Sequence, residues 1–163
     1  MSHTARTPEL EKRLHLEVDI AAPELLGDVA EGIRMNYPIL GGRFTLFTPS
    51  AEVICGTVVS GGYDCFLEQH DGTGRLDAIY SLKTDEGELI NIRNRGWLML
   101  TEQGQQQVKA GIWPIERTDY QCHCTPSFQV ALGRLSWLGT AVLIGDVFYP
   151  SDHKVIITCY GLT

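Results

Sequence analysis

The sequence lacks the features that mark several large classes of protein. No apolar run approaches the roughly 20 residues that a membrane-spanning helix needs, and the first residues, MSHTARTPELEKR, contain no apolar core of a secretion signal. Basic residues are few, since 13 Lys and Arg oppose 20 Asp and Glu and leave a formal charge of −7. Nucleic acids and anionic lipids attract the opposite sign of charge. We therefore expect a cytoplasmic protein that binds neither nucleic acid nor a membrane.

Disulfide patterning is also missing. The chain has five cysteines, an odd number, and no two of them have CxxC spacing. Free thiols of this kind suit a reducing compartment. At 163 residues the chain can form one domain that buries about 70% of the surface of its unfolded chain. We therefore expect a single domain over 1–163 that needs neither a disulfide nor a metal to fold, with residues 1–13 as a flexible polar arm.

Helical periodicity is scarce, and only two short segments favour a helix. One is 23–31, where a proline stands near the first turn and Gly32 would end the helix, although a loop fits nearly as well. The other is the glutamine-rich segment 101–110, which Thr101 could cap and Gly111 could stop.

Most of the remaining sequence is typical of β-strands. Leu14, Leu16 and Val18 alternate with polar residues, which is the period-two pattern of a strand with one buried face. Other segments are rich in β-branched residues and are bounded by glycine or proline turns, one of which we expect at Gly41-Gly42. We predict strands at 14–20, 32–39, 43–47, 51–59, 75–83, 88–95, 117–124, 138–148 and 154–160. After breaks at Gly61-Gly62 and Pro126, segment 63–69 resumes the strand 51–59, and 127–132 could continue the strand 117–124.

Many short strands with short sequential connections and 17 glycines predict an all-β protein, either a sandwich or a barrel. We favour a small closed or nearly closed antiparallel β-barrel of about eight to ten strands with one or two short helices. The reason is that closure leaves no exposed strand edge. A barrel of about eight strands can hold one small ligand.

The stretch 56–80 alternates apolar and polar residues more closely than the rest of the chain. Its Gly61-Gly62 pair indicates a bulge, which could re-aim Asp64 into a cavity. Strand alternation puts Asp77 and Tyr80 on opposite faces, so only one of the two can face the lumen unless a bulge intervenes. We expect this hairpin to form part of the wall and mouth of the barrel.

An ordered set of residues runs through nearly the whole chain: Gly32, Arg34, Gly41, Gly42, Arg43, Phe44, Gly56, Gly61, Gly62, Asp64, Asp71, Gly72, Asp77, Tyr80, Thr84, Gly87, Asn94, Gly96, Thr125, Pro126, Phe128, Trp137 and Leu138. In order and spacing this set resembles the family called domain of unknown function 3237. That family consists of small bacterial and fungal β-barrel proteins of about this length.

The sequence departs from the family pattern at four places. Cys65 stands where the family usually has Trp, and the run 121–124, Gln-Cys-His-Cys, replaces an aromatic-Arg-Thr run. Gln129 replaces a Glu, and Gly139 replaces an Asn. Part of the pocket lining that the resemblance implies is therefore altered, in a direction that suggests a specialised substrate.

One activity associated with this family is 4-hydroxylaminobenzoate lyase, which acts in nitroarene degradation. The resemblance thus implies an enzyme that converts 4-hydroxylaminobenzoate to protocatechuate and ammonia, by general acid-assisted N–O cleavage and water attack on the ring. The N–O bond is itself the oxidant, so we expect no cofactor and no metal. The chemistry needs a cation for the ring carboxylate, an acid for the departing oxygen, and a base or positioned water.

Arg34 and Arg93 are the candidate residues for binding the substrate carboxylate, since a guanidinium grips a carboxylate with two hydrogen bonds. Either could instead be a surface arginine of a strand. Tyr120 is a further candidate for substrate binding.

The candidate catalytic residues are Asp64, Tyr80 and His123. Asp64 follows the glycine pair, Tyr80 could present its hydroxyl in an apolar pocket, and His123 could act as a general acid or base. The structural alternatives are a turn carboxylate, a core tyrosine and an exposed strand histidine. Cys122 and Cys124 do not suggest a metal site with His123, because alternation puts both thiols on one face and the imidazole on the other.

Two other functions stay open. The barrel could bind an aromatic or apolar acid without turnover, or it could catalyse another cofactor-free isomerisation or cyclisation. In each case the expected partner is a small molecule, and a homo-oligomer is left open.

Overall fold

The computed structural model describes residues 4–163. In this part of the chain one α-helix, α1 (Glu102–Lys109), two short 3₁₀ turns (Arg117–Asp119 and Ser136–Thr140) and nine strands are formed. The strands are β1 (Leu10–Ile20), β2 (Glu24–Val29), β3 (Gly32–Phe47), β4 (Val53–Gln69), β5 (Gly74–Thr84), β6 (Leu89–Leu100), β7 (Tyr120–Val130), β8 (Leu143–Ser151) and β9 (Lys154–Leu162).

Pairing of β1 with β3 closes eight of these strands into an antiparallel barrel. The order around the barrel is β1-β9-β8-β7-β6-β5-β4-β3, and β3 then pairs with β1 again. β2 is an extra strand that pairs only with the first part of β3. The predicted fold class, a small antiparallel barrel with short helical segments, is confirmed.

The apolar core lies inside the barrel. In β6 the residues alternate strictly between buried and exposed, as expected for a wall with one apolar face and one wet face. The most deeply buried side chains of this core are mainly aliphatic: Leu14, Leu16, Leu46, Leu82, Ile90, Ile92, Leu138, Val147, Cys122 and Cys159. Burial of this apolar surface is the main force that holds the wall together.

Several predicted strands are longer in the structure than in the sequence pattern. Segments 32–39 and 43–47 join as β3, 51–59 and 63–69 join as β4, and 117–124 and 127–132 join as β7. β7 continues through Pro126 because β7 pairs with β8 only through the residue pairs His123–Asp146 and Cys124–Gly145. Pro126 therefore leaves no ladder bond to β8 unmade.

Two predictions of local structure were wrong. The segment 23–31 is not a helix but contains β2, whose backbone pairs with the first part of β3. Its Leu25 and Leu26 are both largely exposed, so no apolar helix face is buried there. The pair Gly41-Gly42 is not a turn between strands but lies inside β3, where the register with β1 and with β4 shifts.

The N-terminal arm is shorter than expected, because β1 begins at Leu10. Residues 1–3 of the predicted arm lie outside the described residues. The helix predicted at 101–110 is confirmed as α1, and its N-cap Thr101 accepts a hydrogen bond from the backbone N–H of Gly104 at 3.0 Å. Within residues 4–163 no helix has the length and apolar character needed to cross a membrane.

Replacement of Gly42 by alanine should destabilise the barrel more than the same change at Gly27. Both glycines have positive φ, +134° and +113°. A Cβ on Gly42 would lie 2.0 Å from the carbonyl oxygen of Glu17 in β1, whereas a Cβ on Gly27 would meet nothing within 4 Å. Backbone strain alone costs about 1–3 kcal/mol, and only Gly42→Ala also displaces β1. Urea unfolding of the two variants measures this, and equal losses of unfolding free energy would contradict it.

Candidate functional site

A bulge in β4 sets which residues face the lumen. Between the pairs Val59–Ser81 and Tyr63–Ile79, four steps along β4 match two steps along β5, so β4 carries two extra residues. Because two is an even number, the alternation of faces is the same on both sides of the bulge. Asp64 therefore points to the inside of the barrel.

The Gly61-Gly62 pair lies in this bulge, as the sequence predicted. A Cβ on Gly62 would lie 2.5 Å from the Cβ of Tyr80. Glycine is thus required where β4 passes over the base of the Tyr80 side chain. The bulge and Tyr80 form one packed unit of the wall.

Asp64, Ala78 and Asn94 form a row across three strands on the inner face. Asp64 pairs with Ala78, and Ala78 pairs with Asn94. Directly paired residues have Cβ atoms about 5 Å apart, so the Cβ atoms of Asp64 and Asn94 stand about 10 Å apart on either side of the small Ala78 side chain. We call Asp64, Tyr80, Asn94, Cys124 and Cys159 the interior polar cluster.

Asp64 is half-buried, and its Oδ1 accepts a hydrogen bond from the backbone N–H of Asp77 at 3.0 Å. Loss of solvent raises the pKa of Asp64 to about 6. The hydrogen bond from Asp77 and the charge of Arg34 oppose this rise, while the charge of Asp77 adds to it. The carboxyl can therefore exchange a proton near neutral pH.

Tyr80 and Asn94 carry buried polar atoms that no group in the described residues satisfies. Tyr80 is 5% exposed and Asn94 is 4% exposed. The hydroxyl of Tyr80 and the Oδ1 of Asn94 have no hydrogen-bond partner within residues 4–163. Burial raises the pKa of Tyr80, and charge on Cys159, Cys124 and Asp64 would raise it further, so its hydroxyl stays protonated.

Two thiols complete the interior polar cluster. Cys124 and Cys159 flank Gly145 on adjacent strands, and a Cβ on Gly145 would lie 2.5 Å from the Sγ of Cys124 and 2.9 Å from that of Cys159. Hydrogen bonds with Cys159 and with Asn94 lower the pKa of Cys124. The hydrogen bond with Cys124 and burial raise the pKa of Cys159.

An aromatic group borders the cluster. The rings of Tyr120, Tyr149 and Trp113 pack together, with centroids 5.1 to 6.3 Å apart. The hydroxyl of Tyr120 accepts a hydrogen bond from the backbone N–H of Tyr149 at 3.2 Å. The hydroxyl of Tyr149 lies 3.5 Å from the Sγ of Cys122.

The predicted site residues divide between the two faces of the wall. Asp64, Tyr80 and Tyr120 lie inside. Arg93 lies outside and binds Asp77 with two hydrogen bonds of 3.0 Å. His123 also lies outside, where its side chain is 60% exposed and its Nε2 is 3.8 Å from the Oδ1 of Asp146.

Arg34 is the third outer residue of the set. It pairs with Leu67, whose β5 partner is Arg75, and this register puts Arg34 on the outer face near the start of β3. Its Nη1 donates a hydrogen bond to the carbonyl oxygen of Cys65 at 3.2 Å. Arg34 is nevertheless close enough to Asp64 for its charge to lower the pKa of that carboxyl.

Two shallow grooves lie on the barrel. One of about 520 Å³ is lined by His123, Arg95, Trp97 and Asp146, among others. A second of about 620 Å³ lies beside the β4 bulge and is lined by Arg93, Tyr80 and the glycine pair. Each groove therefore borders one residue of the interior polar cluster, Cys124 in the first groove, which also contains His123, and Tyr80 in the second.

Sequence reasoning missed Asn94 as a site residue and did not pair Cys124 with Cys159. The sequence contains a signal for Asn94, because it is the one polar residue on the apolar face that Ile90, Ile92 and Leu98 define in β6. The sequence contains no signal for the pairing of Cys124 with Cys159, because their proximity depends on the order of β7, β8 and β9 around the barrel.

The fold and the interior polar cluster define a small antiparallel barrel whose apolar lumen contains a few convergent polar groups. Residues 8–162 match the family described as "Protein of unknown function (DUF3237)", and the chain belongs to that family. The family resemblance seen in the sequence is thus confirmed.

The relatives agree with this assignment. A UPF0311 protein of Rhodopseudomonas palustris (strain TIE-1) is 26% identical over 152 residues, which cover 92% of this chain and 95% of that protein. A protein with unknown function from Clostridium acetobutylicum ATCC 824 has a similar structure, with a TM-score of 0.85, 22% identity, and 98% of this chain and 100% of that chain covered. The crystal structure of an enzyme from Penicillium herquei has a TM-score of 0.67 and 17% identity, with both chains fully covered at 100%.

Asp64 should make the stability of the barrel fall as the pH rises. Its pKa in the folded protein, about 6, lies above the ordinary 3.8. Between these values the folded chain holds more protons than the unfolded chain, so the unfolding free energy decreases with pH. The decrease is at most about 3 kcal/mol. Asp64→Asn keeps an acceptor for the Asp77 N–H and should remove this decrease.

Urea unfolding at pH 4 to 7 tests the effect. Asp71→Asn is the matched control, since hydrogen bonds with Thr73 lower the pKa of this exposed turn carboxyl and give its contribution the opposite slope with pH. Identical pH profiles for the wild-type protein and Asp64→Asn would contradict the assignment.

Proposed function

We propose that the chain is a cofactor-independent enzyme that converts 4-hydroxylaminobenzoate to protocatechuate and ammonia at the interior polar cluster. The observation that carries the proposal is Asp64, a half-buried carboxyl with a pKa of about 6 on the inner face of the barrel. Such a group can donate a proton at neutral pH, which the departing N–O oxygen of a hydroxylamino-arene requires. The resemblance to a family with this activity supplies the substrate.

The reaction needs no external oxidant. The hydroxylamino oxygen leaves as water after it accepts a proton, and the N–O electron pair leaves with it. One water then adds to the ring carbon adjacent to the carbon that bears the nitrogen. A second water replaces the nitrogen, which departs as ammonia. The net change is one hydroxylaminobenzoate plus one water to one protocatechuate plus one ammonia, so atoms and electrons balance.

Each step of this reaction can be assigned to a side chain of the barrel. Asp64 donates the proton to the leaving oxygen and, once deprotonated, accepts one from the attacking water. Tyr80 stays protonated in the lumen and donates a hydrogen bond to the substrate. Tyr120 borders the aromatic ring of the substrate. Arg34 lies on the outer face but its charge reaches Asp64, and it binds the carboxylate at the end of the barrel where β3 begins.

The Penicillium herquei protein supports catalysis more generally, because it is an enzyme with a similar fold. Fold alone does not transfer an activity. The main support for catalysis therefore comes from the carboxyl of Asp64 and the unpartnered hydroxyl of Tyr80 inside the barrel.

Chelator-treated protein should release ammonia and protocatechuate from 4-hydroxylaminobenzoate without added metal or nicotinamide. Ammonia is measured enzymatically and protocatechuate by chromatography, against buffer and heat-denatured protein. No ammonia above these controls would contradict the lyase activity. Tight binding without turnover, measured by calorimetry, would instead support a non-catalytic binding barrel.

Asp64→Asn should lower kcat by about 10²–10⁴-fold, which is the usual contribution of a general acid. In the wild-type protein kcat should fall above pH 6, because only the protonated carboxyl can donate. Asp71→Asn, in an exposed turn, is the matched control and should leave kcat unchanged.

His123→Ala and Arg93→Ala distinguish the two faces of the wall. A loss of kcat in either variant as large as that in Asp64→Asn would place the chemistry in the outer grooves and contradict the interior site. Arg34→Ala should raise KM more than it lowers kcat, since a carboxylate clamp acts in the ground state and the transition state alike.

A further inference from the structure

Asn94 is the buried polar residue of β6 that has no evident structural role. It lies on the inner face between Ile92 and Gly96, and only 4% of its surface is exposed. Buried amide oxygens are almost always hydrogen-bonded, because an unpartnered one loses its interaction with water without compensation. The Oδ1 of Asn94 has no such partner in the part of the chain that the structure describes.

The amide of Asn94 lies beside the thiol of Cys124. The two residues are diagonal neighbours on the inner face of β6 and β7, since Asn94 pairs with Pro126 and Cys124 pairs with Gly96. A hydrogen bond from the Asn94 side chain contributes to the lowered pKa of Cys124, and the amide NH₂ is the donor in such a contact. The Oδ1 is the other end of that amide and has no partner within residues 4–163.

Other polar groups lie on the same inner face as Asn94. Ala78 lies beside Asn94 in the inner row, and Asp64 follows on the far side. Tyr80 comes two residues after Ala78 on the same face and brings the second unpartnered polar atom, its hydroxyl. The inner face around Ala78 thus carries an unpartnered acceptor on Asn94, an unpartnered donor on Tyr80 and the carboxyl of Asp64.

We infer that Asn94 determines the specificity of the interior site, by accepting through its Oδ1 a hydrogen bond from an N–H or O–H group on the para position of a small aromatic acid. The inference rests on the proposed function in placing the substrate in the lumen. It adds the requirement for a donor on the substituent that enters the barrel, which a hydroxylamino or amino group has and a methyl group lacks. Asn94 is a positioning residue in this role, since it holds the nitrogen while Asp64 moves the proton.

Two unreactive probes of the same shape test this requirement. 4-Aminobenzoate carries N–H donors but no N–O bond, and 4-methylbenzoate has nearly the same volume without a donor. Calorimetry on the wild-type protein should show that 4-aminobenzoate binds about tenfold more tightly, as expected for one buried hydrogen bond. Equal affinities, or no binding of either probe, would overturn the inference without any variant being made.

Asn94→Leu keeps the side-chain volume and removes the acceptor, so the preference for 4-aminobenzoate should disappear. Asn91→Leu is the matched control: Asn91 lies on the outer face of the same strand, where its Oδ1 accepts a hydrogen bond from Ser81, and the preference should survive. A preference that persists in Asn94→Leu would overturn the inference. A purely structural role of Asn94 would lower stability without changing the ratio of the two affinities.

The test separates this inference from the lyase proposal. A wild-type preference for 4-aminobenzoate that Asn94→Leu abolishes supports Asn94 as the specificity residue even if no ammonia is released, in which case only the reaction is contradicted. Ammonia release from 4-hydroxylaminobenzoate with equal affinities for the two probes supports the reaction and overturns the role of Asn94.

Discussion

The pairing of β1 with β3 is the interaction on which the rest of the structure depends. β3 is 16 residues long and changes its partner on one side, from β2 near its start to β1 further along, while β4 follows it on the other side. The change requires close approach at Gly42, where a Cβ would lie 2.0 Å from the Glu17 carbonyl oxygen. Without the pairing of β1 with β3 the sheet would stay open, and its inner face would be exposed to water.

Closure changes the chemistry of the groups inside. A carboxyl on an open sheet would keep an ordinary pKa, whereas loss of solvent raises that of Asp64 to about 6. The same exclusion of water leaves the Tyr80 hydroxyl and the Asn94 oxygen without partners in residues 4–163. The small number of polar groups in an apolar lumen is therefore what makes each of them chemically significant.

The sequence predicted most of the wall because a half-buried strand imposes a period of two on its residues. It also assigned relative faces correctly: Cys122 and Cys124 point inward while His123 points outward, and Tyr80 lies opposite Asp77. It failed at β2 and at Gly41-Gly42, since proline and glycine signals fit a helix start, a turn or a bulge alike. Tertiary pairing decides among these, and a short window of sequence does not contain it.

The candidate site was less predictable for a related reason. Alternation says which residues share a face but not which face is the lumen, so the sequence does not show on which side of the wall Arg34, Arg93 and His123 lie. Register puts all three outside. Asn94 was accessible to the same reasoning, as a single polar residue on an apolar face, but its importance depends on Cys124 and Ala78, which only the strand order brings beside it.

Arg34 and Arg93 lie on the outer face of the wall and Asp64 lies on the inner face, and these positions limit how an acid could bind. Apart from tyrosines and cysteines, the buried residues within 4–163 that have polar side chains are Thr48, Thr84 and Asn94, and none of them is a cation. A carboxylate placed deep in the lumen would lack a counter-charge and would raise the pKa of Asp64 further by repulsion. For the proposed aromatic acid, the favourable orientation would keep the carboxylate near Arg34 and direct the opposite substituent inward. A para-substituted benzoate satisfies this geometry because its two functional groups lie at opposite ends of a flat apolar ring.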